Sequence, residues 1–105
     1  MAQTPQQTLQ LILPLTARVG QPCLITVLLA GGPGCPIGPV EVTLARAQSD
    51  LSLRGTALVQ PCEEDGSTRG SAVFSVVIDT PGEALFIASA SADGYPMATG
   101  QLVAG

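Results

Sequence analysis

Histidine, lysine and tryptophan are all missing from this chain of 105 residues. Without His or Lys there is no Ser-His-Asp or Cys-His nucleophile system, and a cysteine has nothing obvious beside it to lower its pKa. The only cations are Arg18, Arg46, Arg54 and Arg69, against eight acidic residues, for a formal net charge of −4. Nucleic acid is not an expected partner, because four scattered Arg residues and no basic run release few counterions. No apolar run reaches the roughly 18 to 20 residues of a spanning helix, since Pro14, Arg18 and Gly20 interrupt the longest. Membrane insertion is not expected. Aromatics are as scarce, Phe74, Phe86 and Tyr95 alone, and one exposed Tyr is no platform for a sugar. The start, MAQTPQQTLQ, lacks the basic, apolar and small-residue regions of a secretory signal. No export signal of its own is expected, and the chain is read as a whole gene product, with an excised domain carrying an added Met as the alternative.

What remains is aliphatic and heavily punctuated, with 46% hydrophobic residues, 12 Gly and 9 Pro. Short strands separated by turns suit that mixture, and the length suits one domain. We expect a flexible segment over residues 1–7 and a single domain over 8–105. Phe74, Val76 and Ile78 alternate with Ser75 and Val77, and Phe86, Ala88 and Ala90 alternate with Ile87 and Ser89, so each run offers one face to a core. Thr80-Pro81-Gly82 joins the runs with turn residues, which predicts a β-hairpin over Gly70–Tyr95. Upstream, Leu9, Leu11, Leu13 and Leu15 mark a first strand that Pro14 pushes to an edge or bulge. Cys23–Ala30 reads as a second strand, apolar on both faces. Gly31–Pro39 is a loop, Val40–Ala45 a third strand and Arg46–Gly55 an irregular crossing. Thr56–Gln60 is a short fourth strand, and Met97–Val103 the last.

Seven strands at this spacing predict an all-β, two-sheet Greek-key sandwich. The chain also resembles bacterial immunoglobulin-like domains of adhesins and the similar modules of tailed-phage virion proteins. The residues that carry this are Val19-Gly20-Gln21-Pro22, Gly38-Pro39-Val40-Glu41-Val42-Thr43-Leu44, Asp65-Gly66 ahead of Ala72–Val76, and Pro81–Ala90 with Asp93-Gly94-Tyr95. It departs from antibody domains in having no Trp, and Ala88 or Ala90 in the run after Gly82 where those domains would hold a cysteine. An antibody-type disulfide is therefore ruled out, leaving Cys23 as a small core hydrophobe.

The resemblance implies a module that binds or builds rather than one that catalyses. It places the loop containing Cys35 near the loop containing Cys62, a candidate disulfide, although an unexported chain would keep all its thiols reduced. It also gathers Glu63, Glu64, Asp65 and Asp93 at one end, where calcium is conceivable and solvated turns are the plainer reading. No cofactor or metal is expected. The most informative anomaly is a set of apolar residues out of phase with the core: if Leu9, Ile25, Val27 and Phe74 point inward, then Ile12, Leu24, Leu28, Val73 and Val77 point outward together. Such a patch marks a protein interface unless loops or the polar N-terminal segment cover it. The expected role is that of a virion protein, a capsid decoration or tail accessory assembled in the host cytoplasm. The alternative is a repeat of a bacterial cell-surface adhesin.

Overall fold

The computed structural model describes residues 7–32, 35, 37–62, 64, 66–92 and 94–105. Eight strands follow one another, with no helix among the described residues: β1 Gln7–Ile12, β2 Thr16–Ala17, β3 Pro22–Gly31, β4 Gly38–Arg46, β5 Ser52–Pro61, β6 Thr68–Val77, β7 Gly82–Ala90 and β8 Ala98–Ala104. Their hydrogen-bonded order is β1-β3-β6-β5-β4-β7-β8-β2, a single continuous ladder. The sheet curls, bringing Leu11 and Leu13 of the first segment against Gly100 of β8. One core results. It draws Ile25, Val27 and Leu29 from β3, Phe74 and Val76 from β6, Val42 and Leu44 from β4, Phe86 and Ala88 from β7, and Leu102 from β8.

The first strand accounts for the eighth element. Pro14 has no N–H to give a ladder, so β1 ends at Ile12 and the chain resumes as β2, paired in parallel with β8 at Thr16↔Val103 and Ala17↔Ala104. One apolar stretch thus serves both ends of the ladder.

Two further expectations are corrected. The runs on either side of Thr80-Pro81-Gly82 do not form a hairpin: β6 pairs with β3 and β5, whereas β7 pairs with β4 and β8. The reason lies in the link. Residues 78–81 can extend about 13 Å, more than the roughly 10 Å between packed β-layers, and the Gly20 N–H donates to the Ile78 carbonyl at 2.9 Å. Buried Ile78 is thereby held against the β2–β3 turn, and Gly82, with φ 119°, redirects the chain across the core.

The expected crossing at Arg46–Gly55 is instead a tight turn followed by strand. The Arg46 N–H donates to the Leu51 carbonyl at 3.3 Å, and β5 pairs with β4 from Ala45↔Ser52 to Gly38↔Val59. Gln48 sits at φ 61° in that turn, a left-handed conformation that its residue type does not advertise.

Near its end β5 changes neighbour. It pairs with β6 only at Gln60↔Arg69 and Pro61↔Thr68, and along the rest of its length it runs beside β4. That change leaves β1, β3 and β6 as a three-stranded face on the outside of the molecule.

Candidate interaction face

The register of these three strands fixes what stands beside what. Along β3 the outward row is Pro22, Leu24, Thr26, Leu28 and Ala30, each opposite an outward residue of β6: Val77, Ser75, Val73, Ser71 and Arg69 respectively. On the other side Ile12 faces Thr26, and Gln10 faces Leu28. Four of the five candidate interface residues are well exposed, Leu24 at 64%, Val73 at 60%, Val77 at 49% and Ile12 at 44%. Leu28, the fifth, is half-buried. The antiparallel register therefore gathers all five on one surface.

Leu58 belongs to the same surface at 54% exposure. Its signal is present in the alternation Ala57-Leu58-Val59, whose flanking residues are fully buried, but the expectation of a short strand over Thr56–Gln60 assigns it to no face. Leu28, Leu58, Gln60, Arg69, Gly70 and Ser71 line a shallow groove where β5 leaves β6.

Charge is distributed unevenly. Strands β1, β3, β5 and β6 contain no Asp or Glu, so Arg69 is the one charge on the face formed by β1, β3 and β6, with Asp79 two residues beyond the end of β6. Glu41 and Glu83, both exposed, stand on β4 and β7 in the other half of the ladder. A sheet surface with one cation, no carboxylate and many apolar side chains loses less hydration when covered than one bearing unpaired carboxylates, which resist burial.

The groove has hydroxyls at Thr8 and Ser71 but no carboxylate, imidazole or thiol among its lining residues to act as a base. Among the described residues no three His, Cys, Asp or Glu side chains converge as a metal site. Of the acidic loop residues considered for calcium, Glu64 is exposed, while Glu63, Asp65 and Asp93 lie outside the described residues. Among the described residues no helix is long and apolar enough to cross a membrane.

Cys35 and Cys62, the candidate pair, are separate free thiols, as is Cys23. Cys35 is buried beside Gly31 and Thr68. Cys62 is half-buried and closes the β5–β6 turn, its N–H donating to the Ser67 carbonyl and its own carbonyl accepting from Gly66. A thiol reagent added to the native protein should therefore titrate Cys23 and Cys62 quickly and Cys35 slowly, all three reacting once denatured. A reductant should leave the melting temperature unchanged; a drop of several degrees would reveal a bridge.

No family model matches the chain, and no curated protein matches it. Solved structures do. A CARDB domain from Pyrococcus furiosus, in complex with di-metal ions, superposes with a TM-score of 0.69 at 11% identity, over 96% of this chain and 89% of that one. The solution structure of a CARDB domain from the same organism gives 0.66 at 13%, over 98% and 97%. A superoxide reductase (neelaredoxin) from Ignicoccus hospitalis gives 0.56 at 14%, over 96% and 83%. Such identities speak to the fold alone. What the chain shares with these structures is an all-β fold of the immunoglobulin-like type.

Proposed function

We propose that this protein is a non-enzymatic docking module that works without a cofactor and joins a larger protein assembly through the outer face of β1, β3 and β6. In this reading the curled ladder acts as a two-layer Greek-key sandwich, with β1, β3 and β6 in one layer, β4, β7 and β8 in the other, and β5 passing between them. The observation that carries it is the exposure of Leu24, Val73, Val77 and Ile12 on strands without a carboxylate. Contiguous apolar surface of this kind on a single chain marks an association site. The setting we favour is a virion, where the module would decorate a capsid or serve a tail; the alternative is the surface of a bacterial cell.

Density-gradient sedimentation of a lysate in which the particle assembles provides the test. Wild-type chain should travel with the fast particles, and Val73→Asp should remain at the top with its circular dichroism unchanged. Equal migration of the two would remove this face from the function. Tandem copies of the domain in one long reading frame would favour the cell-surface alternative.

A further inference from the structure

We infer that the partner of this face is a second copy of the same chain, packed face to face about a two-fold axis that crosses the strands at the Thr26–Val73 row. The inference rests on the docking reading above and names the occupant.

Size argues first. Two ten-residue strands, β3 and β6, and the six-residue β1, set about 4.8 Å apart, cover on the order of 410 Å² in projection. A stable pair buries about 800 Å² of accessible surface per partner, so nearly the whole corrugated face, with Leu58 and Pro22 at its margins, must be covered. A single added strand would cover about a third of it. A second sheet of equal width covers it all, and this chain has one.

Charge argues second. The chain carries a net −4, and two copies meeting through the β4 and β7 half would bring the exposed carboxylates Glu41 and Glu83 into the contact. On this face no carboxylate meets another. An axis across the strands also separates the two Arg69 residues: each lies four residues from the axis, so they stand about 26 Å apart, well beyond the screening length of about 8 Å at physiological salt.

The same axis gives specific neighbours. Positions equally far from the Thr26–Val73 row on opposite sides face each other, so Leu24 meets Leu28 of the second copy and Val73 meets Val73. Val77 meets Arg69, whose aliphatic stem can cover it while the guanidinium reaches toward Asp79 beyond the strand end. Ser71, Ser75 and Gln10 fall between these contacts, where hydroxyls and amides can pair across the interface.

Analytical ultracentrifugation of purified chain tests this. Wild-type protein should sediment as a dimer at tens of micromolar, and Val73→Asp should weaken the association at least a hundredfold with an unchanged circular-dichroism spectrum. Leu24→Asp and Leu28→Lys should each be monomeric alone. Mixed in equal amounts they should regain the dimer mass, because the carboxylate introduced in one variant then faces the ammonium introduced in the other. The symmetric contact of that mixed pair, Leu28 of the first variant against Leu24 of the second, stays leucine on leucine. Wild-type chain that remains monomeric to millimolar concentration would overturn the inference. So would a wild-type dimer whose two variants fail to rescue each other, since the facing positions would then differ. The docking reading fails separately, by the lysate gradient, if Val73→Asp still travels with the particles.

Discussion

Phe86→Ala should lower the unfolding free energy by about 3 to 5 kcal/mol, the usual cost of emptying a buried aromatic site. Phe86 is fully buried, in register with Arg46 of β4 and Gly100 of β8. The chain has only one other Phe, so the neighbouring aliphatic and alanine side chains have little bulk with which to collapse into the space. A domain of this length holds roughly 5 to 15 kcal/mol in total. The loss would thus remove roughly a fifth of the stability or more, and at about 4 to 8 °C per kcal/mol lower the melting temperature by roughly 12 to 40 °C. Leu85→Ala provides the internal control. Leu85 is the adjacent residue on the opposite face, 36% exposed, and its truncation should cost under about 1 kcal/mol. Urea unfolding of both variants checks the pair; equal losses would mean that the strand's inward and outward faces are wrongly assigned.

That contrast between neighbours is the part of the fold that the sequence carried clearly. Alternation tells which residues share a face, because successive side chains of a strand point to opposite sides. Leu9, Val27, Phe74, Val76, Phe86 and Ala88 are accordingly inward, while Leu24, Val73 and Val77 are outward. Alternation does not tell which strand lies beside which. Thr80-Pro81-Gly82 has the residues of a hairpin turn, yet it links strands in different parts of the ladder, and what separates the two cases is Ile78, whose carbonyl is captured by Gly20 from far upstream. No local pattern contains that bond. The β4–β5 turn is hidden for a different reason, since Gln48 takes up a conformation that Gly or Asn would have announced. The candidate face is legible only as a parity; its continuity depends on the β1–β3 and β3–β6 registers, which are tertiary facts.

Gly70→Val should be among the most damaging single changes in the molecule, and it would act through backbone rather than through a cavity. A Cβ built on Gly70 would lie 2.9 Å from the Leu58 carbonyl oxygen, 3.0 Å from a Val59 methyl and 3.1 Å from the Leu58 carbonyl carbon. Two of these three are main-chain atoms, which cannot rotate away as the tip of a side chain can. The contact occurs where β5 gives up β6, one residue past the Gln60↔Arg69 pair, and turns to β4. Moving Leu58 outward would strain the β4 ladder at Pro39↔Leu58, and moving Gly70 outward would strain the β3 ladder at Leu29↔Gly70. Overpacking of this kind costs about 1 to 3 kcal/mol and at times more. Ser71→Val, one residue on and exposed, should stay within about 0.5 kcal/mol of wild type. Chemical denaturation ranks the two, and amide exchange localises the damage: protection should fall first at Leu58–Gln60 and Arg69–Ser71 in the Gly70→Val protein. If Gly70→Val proved as stable as Ser71→Val, the close passage of β5 over β6 would not exist. The groove beside Arg69 and the upper margin of the docking face would then need another architecture.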